Sequence, residues 1–375
     1  CPGEDFDHVI EAHVEAAALP DGTRLRDTLC GLLASSKVLH KLAVPFSYIE
    51  NCRIEEPLFQ QGVDRFCRAV RAAGVLRGGT RIALIGQRID FFWTTIVNES
   101  ELLERFGIEM IPVDMVDFIA HARNRATEGR AGYLKEATQL RQRCLIEGFA
   151  DDQPLVNILA VRDQMLAVAA DRGADALAIQ DFMSLVDAMG AYCFFASSLV
   201  CETVPLGLDM DIHGAISSLM LRRATFDSVA VNLAEFTVRH PSNDHAVLLW
   251  HAGAPVSMMD PADQVRLGSH WILPSPLAGM THFKLREGAI TTLRFDGDRG
   301  RYALAVGEGR SVPGPATQNN YVWMEVDNWP RWERRLIEGP FIHHCAMAYG
   351  QWAQVIAEAA RFVPGLEVVR LDAAG

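Results

Sequence analysis

The chain lacks an excess of basic residues, and this excludes a large class of proteins. Of its 375 residues, 35 are lysine or arginine and 47 are aspartate or glutamate, so the formal net charge is −12. Binding to nucleic-acid phosphates needs a net basic face, so we expect no DNA or RNA partner. An acidic globular composition instead suits a protein that handles neutral or metal-bound small molecules.

Long apolar runs are also missing. The uncharged stretch in the middle of the chain, residues 188–201, ends at Glu202, whereas a membrane-spanning helix needs about 20 apolar residues. The chain opens with Cys1-Pro2-Gly3 and shows no charged-then-apolar leader. We therefore expect neither a membrane partner nor a secretory signal.

Cysteine pairs with a metal-binding or redox spacing are absent. The eight cysteines are scattered singly, and no CxxC occurs. Such spacing indicates no disulfide framework. It predicts reduced, mostly buried thiols and a cytoplasmic location.

Glycine-rich phosphate loops and common hydrolase motifs are missing as well. The segment Ile85-Gly86-Gln87-Arg88 lacks the further glycines of a dinucleotide fingerprint. No GxxxxGK[ST], GxSxG or HExxH motif is present. Arg88 nevertheless follows a predicted strand, where ligands often bind, so we consider it a candidate for contact with a polar substrate.

Strands and helices alternate in the first half of the chain. A buried strand over 81–86 is followed by a helix over 99–106, a strand over 108–113 and a helix towards Ala126, with another strand over 175–180. Asn98 and Asp114 are suited to cap the two helices, and Gly107 ends the first. This order predicts a parallel sheet and an α/β fold.

The pattern of apolar and turn residues changes near residue 224. Short apolar segments alternate with Gly and Asp turns, and they predict antiparallel strands over 246–250, 282–285, 289–295, 302–306 and 321–326. A terminal helix over 350–362 and a last strand over 366–371 follow.

Three distant segments carry residues typical of a metal site. They are Asp209-Met210-Asp211-Ile212-His213-Gly214-Ala215, Leu248 to Gly253, which contains His251, and Phe341-Ile342-His343-His344-Cys345. Taken singly, the acids are suited to cap a helix, and the histidines are typical of hydrogen-bonded core groups. Together they offer oxygen and nitrogen ligands, a mixture that suits Mn²⁺ or a related divalent ion.

At these residues the sequence resembles the L-fucose isomerase / L-arabinose isomerase family of metal-dependent ketol isomerases. The resemblance also includes Arg81 to Gly86, Asn98-Glu99 and Phe106-Gly107-Ile108. It implies Rossmann/flavodoxin-like parallel-sheet domains followed by a β-rich, barrel-like domain. The expected segments are 1–78 (the remainder of an N-terminal α/β domain that lacks about a hundred upstream residues), 79–223 (a second α/β domain) and 224–375 (the β-rich domain).

The resemblance also implies a site. Asp209 stands where the family has a metal-binding acid/base glutamate, and Asn232 stands at its second metal carboxylate. His251 and His344 match histidine ligands, and His343 beside the latter is expected to contact substrate. Trimers or hexamers are implied as well.

Two departures from the family pattern affect the expected activity. Asp209 is one methylene shorter than glutamate, and Asn232 carries no charge and cannot take a proton. Asp211 and Glu235 are possible substitutes, and His213 is a weaker candidate. The implied function is aldose–ketose interconversion through an enediol with Mn²⁺. The alternatives are another carbohydrate enzyme, such as an epimerase or lyase, and a catalytically silent sugar-binding homologue.

Overall fold

The computed structural model describes residues 29–270 and 277–373. Its backbone contacts divide the chain into two units, Cys1–Cys67 and Arg68–Gly375, and each is described by itself. The predicted segment boundaries at residues 78 and 223 stay predictions. Within the described ranges, no helix combines the length and apolarity that a membrane crossing requires.

Helices occur throughout the described chain, and strands occur only in the second unit. The helices are α1 (Leu29–Lys41), α2 (Pro57–Gly74), α3 (Glu99–Phe106), α4 (Met115–Glu128), α5 (Arg130–Arg143), α6 (Gln153–Arg172), α7 (Ser184–Met189), α8 (Phe194–Val200), α9 (Ile212–Ala224), α10 (Trp329–Glu338) and α11 (Ala353–Ala360). The strands are β1 (Arg81–Ile85), β2 (Glu109–Val113), β3 (Leu145–Ile146), β4 (Ala176–Ile179), β5 (Leu206–Gly207), β6 (Asn232–His240), β7 (Asn243–His251), β8 (Arg266–Ser269), β9 (Ala278–Lys284), β10 (Ala289–Asp298), β11 (Arg301–Val312), β12 (Asn320–Glu325), β13 (His344–Tyr349) and β14 (Leu366–Arg370).

The first sheet is parallel and has the strand order β2-β1-β4-β5. Helix α3 spans the predicted residues, and α4 begins where the sequence predicts. The Asn98 side chain accepts a hydrogen bond from the Glu101 N–H, and Gly107 ends α3 with a left-handed φ of 61°. Asp114 accepts hydrogen bonds from the first turn of α4. The α/β prediction is therefore confirmed at the level of a mixed fold with a parallel sheet.

The second sheet closes into a barrel. Six antiparallel strands form the ring β11-β10-β13-β6-β7-β12, and pairing of β11 with β12 completes it. Strands β9, β8 and β3 continue the sheet on one side, and β14 continues it on the other. The expected barrel-like region is thus a closed antiparallel barrel.

Helix α9 joins the two sheets. It packs against β4 and β5 on one side and against β10 and β13 on the other. Ile216, Leu219 and Met220 of this helix are buried with Ala178 of β4 and Leu304 of β11 in one apolar core. Because both sheets pack against this helix, the turn that precedes it, residues 208–211, lies where the parallel sheet meets the barrel.

Candidate active site

Four side chains from separate parts of the second unit converge. Asp209 follows β5 at the carboxyl end of the parallel sheet, Glu235 lies in β6, His251 ends β7, and His344 begins β13. Each offers one ligand atom, and these four atoms lie within 4.8 Å of one another. The register pairs His344 directly with Glu235, which explains how β6 and β13 bring an imidazole and a carboxylate to one point.

The distances between these atoms fit a shared cation. His344 Nε2 lies 3.3 Å from Glu235 Oε1 and 3.7 Å from Asp209 Oδ2. His251 Nε2 lies 3.6 Å from Asp209 Oδ2 and 3.8 Å from Glu235 Oε1. Ligands bound at about 2.1–2.3 Å to one metal stand roughly 3–3.5 Å apart, so small side-chain movements would complete a coordination shell.

Each imidazole is oriented by its other ring nitrogen. His344 Nδ1 lies 3.0 Å from Asp211 Oδ2, and His251 Nδ1 lies 2.9 Å from the Ala252 carbonyl oxygen. Histidines that bind metals usually make such a second hydrogen bond, which fixes the tautomer and turns Nε2 towards the metal. The donor set and its orientation therefore fit a divalent cation, whose identity the geometry leaves open.

The two carboxylates of the Asp-Met-Asp segment have different roles. Asp211 caps α9, because its Oδ1 accepts the Gly214 N–H at 2.9 Å. A Cβ at Gly214 would lie 2.5 Å from Asp211 Oδ2, so glycine is required there. Asp209 makes no such cap, and its Oδ1 is buried without a hydrogen-bond partner.

The backbone at Asp209 adopts an uncommon conformation. Asp209 and Met210 have φ values of 57° and 56°, in the left-handed region that side chains with a Cβ seldom adopt. The Asp209 N–H lies 3.3 Å from both carboxylate oxygens of Asp181, which follows β4 and is buried. Such strain is often found at functional sites that the surrounding structure holds in place.

A buried ionic network lies behind His344. Arg294 in β10 contacts Asp211, and its Nε donates to Asp296 Oδ2 at 2.8 Å. His213 Nδ1 lies 3.0 Å from Asp296 Oδ1. Asp211 and Asp296 would be costly to bury as carboxylates alone, and Arg294 balances their charge.

The acidic surroundings favour positive charge at the imidazoles. Burial would lower the pKa of His344, but Asp211 and Glu235 outweigh it and raise the pKa to about 10. Burial would likewise lower the pKa of His251, whereas Asp209 and Glu235 raise it above its ordinary value. The same arrangement stabilises a proton on each ring or a cation between the rings.

The pKa values of Glu235 and Asp181 are shifted in opposite directions. Burial would raise the pKa of Glu235, but contacts with His343 and His344 hold it well below its ordinary range. Burial, and then the charge of Asp209, raise the pKa of Asp181 well above its ordinary value. Glu235 is therefore an anion, and the surroundings of Asp181 favour its neutral form.

An apolar cavity of about 240 Å³ adjoins this cluster. Asp209, Glu235 and His251 belong to the cluster and also line the cavity. Its other lining residues are Phe91, Phe92, Phe182, Met183, Phe194, Trp250, Ala252, His270, Met280 and Asn319. None of these described lining residues is lysine or arginine. A small cavity with aromatic walls and a polar end suits a small ligand that has both apolar and polar faces.

The other residues proposed from the sequence lie around the cluster. Asn232 begins β6, and the regular pairing of that strand puts its side chain on the face opposite to Glu235. His343 is half exposed, and its Nε2 lies 3.6 Å from Glu235 Oε1. Arg88 donates to the backbone carbonyls of Ile89, Asp90 and Phe92. The structure thus groups Glu235, rather than Asn232, with Asp209 and the two histidines, and Arg88 holds the loop that carries Phe91 and Phe92.

Several residues of the site are hard to recognise from sequence alone. Glu235 is only a possible substitute for Asn232, and Asp181 lies in no motif, although it follows the predicted strand over 175–180, at the sheet edge where ligands bind. Arg294 and Asp296 give no indication of the site from sequence, because the partners that connect them to it, Asp211 and His213, lie 83 residues away.

Fold and site together are those of an enzyme with a candidate metal centre at the junction of a parallel sheet and a closed barrel. No family model matches the chain. It is similar to a curated protein named sulfoquinovose isomerase from Alkalicoccus urumqiensis, at 25% identity over 358 residues, or 94% of this chain and 78% of the relative. This similarity supports an isomerase enzyme. The specific resemblance to L-fucose isomerases stays a prediction.

Proposed function

We propose that this protein is a metal-dependent sugar ketol isomerase, which interconverts an aldose and its ketose through an enediol. The observation that carries the proposal is the convergence of Asp209, Glu235, His251 and His344 beside a small apolar cavity. The similarity to a protein named as a sugar isomerase supports the same reaction class.

The four converging residues would hold the cation, and their mixed oxygen and nitrogen donors suit Mn²⁺. When bound, the ion would act as a Lewis acid and stabilise the negative charge that develops on the sugar oxygens. Glu235 supplies the second negative charge that Asn232 lacks. This favours turnover over the alternative of a catalytically silent sugar-binding protein.

Asp209 is the proposed general base. It takes the proton from the carbon beside the carbonyl and returns it to the neighbouring carbon, while one hydroxyl proton moves between the two oxygens. Its Oδ2 faces both imidazoles, and its Oδ1 has no hydrogen-bond partner in the protein. Asp181 holds the backbone N–H of this residue, and so helps to keep the carboxylate in place.

The cavity wall favours an uncharged substrate. The described lining has no lysine or arginine, and burial lowers the pKa of His270, which favours its neutral form. Aromatic rings such as Phe182 and Phe194 would pack against apolar sugar faces or a methyl group. We therefore infer a deoxyhexose or pentose as substrate, in preference to an anionic sugar such as sulfoquinovose.

Isotope exchange tests the proposal. The protein is stripped with EDTA, reloaded with Mn²⁺, Co²⁺ or Mg²⁺, and incubated in D₂O with L-fucose, L-rhamnose, D-arabinose, L-arabinose and sulfoquinovose. We expect NMR to detect a ketose and deuterium at C2 with at least one neutral sugar, and no exchange without metal. Absence of deuterium at C1 and C2 of every sugar with every metal would contradict isomerase chemistry.

A variant pair tests the role of Asp209. General acid–base catalysis contributes about 10²–10⁴-fold, so Asp209→Asn should slow exchange by at least about 100-fold. The control is Asp298→Asn, whose side chain is 67% exposed in a hairpin, and it should exchange at the wild-type rate. If Asp209→Asn lowers the melting temperature sharply and slows exchange only in proportion to unfolding, its role is structural.

A further inference from the structure

Besides Asp209, one polar side chain in the described cavity wall has an acceptor atom without a hydrogen-bond partner. Asn319 lines the cavity and is 1% exposed. Its Oδ1 is buried and accepts no hydrogen bond. A buried amide oxygen without a partner is rare in folded proteins and calls for a specific explanation.

The backbone conformation at position 319 explains only in part why this residue is asparagine. Asn319 has a φ of 62°, in the left-handed region that asparagine tolerates better than most residues. Its N–H donates to His282 Nδ1 at 2.8 Å, and its carbonyl accepts from the Phe283 N–H at 3.1 Å. These bonds fix the backbone, but glycine would satisfy the same conformation without placing an amide in the wall.

The neutral His282 ring beside the amide does not satisfy its oxygen. The Nδ1 of this ring already accepts the Asn319 N–H, so it has no hydrogen to give to Oδ1. Burial lowers the pKa of His282 to about 4 and outweighs contact with the Asn319 side chain, which would raise the pKa, so the ring stays neutral. Trp250 Nε1 donates to the Gln318 carbonyl and is likewise occupied.

The next residue, Asn320 at the start of β12, provides a contrast. Asn320 Oδ1 accepts from the Ala254 N–H at 3.0 Å and from Thr281 Oγ1 at 2.9 Å. Its acceptor therefore has a structural task that joins three segments of the barrel. The two adjacent asparagines thus differ in their acceptors: the Oδ1 of Asn319 has no partner in the protein, whereas in Asn320 the atom without a partner is the donor Nδ2.

We propose that Asn319 is a specificity-determining residue, whose side-chain amide forms a hydrogen bond with one substrate hydroxyl that the four metal-site residues do not engage. This inference rests on the proposed isomerase function. A sugar hydroxyl both donates and accepts, so it would satisfy the amide when it has the correct configuration. An epimer with that hydroxyl inverted would leave the amide unpaired, and a site of this kind rejects such analogues strongly.

Binding of the four stereoisomeric pentitols tests the inference. Ribitol, xylitol, D-arabinitol and L-arabinitol differ only in hydroxyl configuration, and their binding to the Mn²⁺-loaded protein is measured by calorimetry. We expect the wild type to prefer one pentitol. Asn319→Gly keeps the left-handed backbone without strain, so it should retain melting temperature and Mn²⁺ affinity but bind the preferred pentitol about tenfold more weakly. The differences between pentitols should shrink accordingly.

Further variants separate recognition from backbone effects. Asn319→Asp keeps an acceptor of the same shape and should retain part of the preference, whereas Asn320→Ala should lower the melting temperature and keep the order of pentitol affinities. If Asn319→Gly binds every pentitol as the wild type does, the inference is wrong, and isotope exchange by the wild type leaves the isomerase proposal intact. If the wild type binds no pentitol and exchanges no sugar, both proposals are wrong.

Discussion

The two ends of the candidate site are built in opposite ways. At the metal end, both imidazoles have a second hydrogen-bond partner, and Asp211 is itself held by Arg294 and the start of α9. At the apolar end, the phenylalanine rings of the wall make no hydrogen bonds, and Phe91 is 60% exposed. The comparison indicates that buried polar contacts fix the geometry of the chemistry, whereas the exposed part of the wall can change with little cost to the fold.

The difference has an energetic cause. Buried charges are stable only when paired, so removal of one partner leaves an uncompensated charge in a medium of low polarity. An exposed apolar side chain leaves only a small change in buried area when it is truncated. Substitutions at the two ends should therefore differ in size and in what they affect.

The largest effect is expected at Arg294. Replacement by methionine (Arg294→Met) leaves Asp211 and Asp296 buried without their cation, and should lower the free energy of unfolding by about 3–5 kcal/mol. Urea unfolding at pH 7 measures this, with Arg299→Met as control because its side chain is 91% exposed. Arg294→Lys keeps the positive charge and should lower the free energy of unfolding by less. Equal stability of Arg294→Met and the control would contradict the prediction.

The loss of stability in Arg294→Met should depend on pH. Burial would raise the pKa of Asp296, but Arg294 and His213 hold it below its ordinary value. The ionised carboxylate thus stabilises the wild type above about pH 3.9, and this contribution is lost as pH falls through the lowered pKa. Without Arg294, burial raises the pKa of Asp296, and its ionised form then destabilises the folded state. The difference in unfolding free energy between the wild type and Arg294→Met should therefore be largest near pH 7 and shrink towards pH 4.

Adjacent histidines give the next largest effect. His344→Ala removes a proposed ligand and should weaken Mn²⁺ binding by at least about 100-fold, since loss of even an outer-shell partner costs 10–100-fold. His343→Ala removes a half-exposed side chain whose Nε2 lies 3.6 Å from Glu235 Oε1, and as the loss of an outer partner it should weaken Mn²⁺ binding by only about tenfold. Titration against a competing chelator measures both. Similar affinities in the two variants would show that the metal does not bind at this cluster.

The smallest effect is expected at the apolar wall. Phe91→Ala should change the free energy of unfolding by less than about 0.5 kcal/mol, because the ring is already largely exposed. It should raise KM for the best neutral sugar several-fold and leave kcat and Mn²⁺ affinity unchanged. Trp93→Ala is the control, since Trp93 is 76% exposed and does not line the cavity. A fall in kcat alone would mean that the wall takes part in the chemistry.

Local sequence was sufficient for β1, β2 and β4 of the four-stranded parallel sheet, but not for β5. Asn98, Gly107 and Asp114 act through contacts within a few residues, so their positions predict where α3 and α4 begin or end. Asp209, His251 and His344 are recognisable as candidates because carboxylates and imidazoles together are typical of a metal site. Their grouping is a matter of geometry that the structure supplies.

The remaining part of the site depends on pairing between distant strands. Glu235 faces His344 because of the register between β6 and β13, and Arg294 meets Asp211 only after β10 packs on α9. Alternation along β6 also separates Asn232 from Glu235, although they are three residues apart. A one-residue change of register reverses which side chains face a site, and single-sequence patterns do not define register at that accuracy.

Closure of the barrel has a consequence for how such a protein can diversify. Each strand of the six-stranded ring pairs with two neighbours. No single strand can therefore slide by a residue without a matching displacement around the whole circumference. Insertions or deletions within β6, β7 or β13 would thus disturb together the three coordinating groups that the ring carries, Glu235, His251 and His344. Segments outside the ring, such as residues 88–96, have no such constraint, and new sugar preferences can arise there while the reaction chemistry is inherited unchanged.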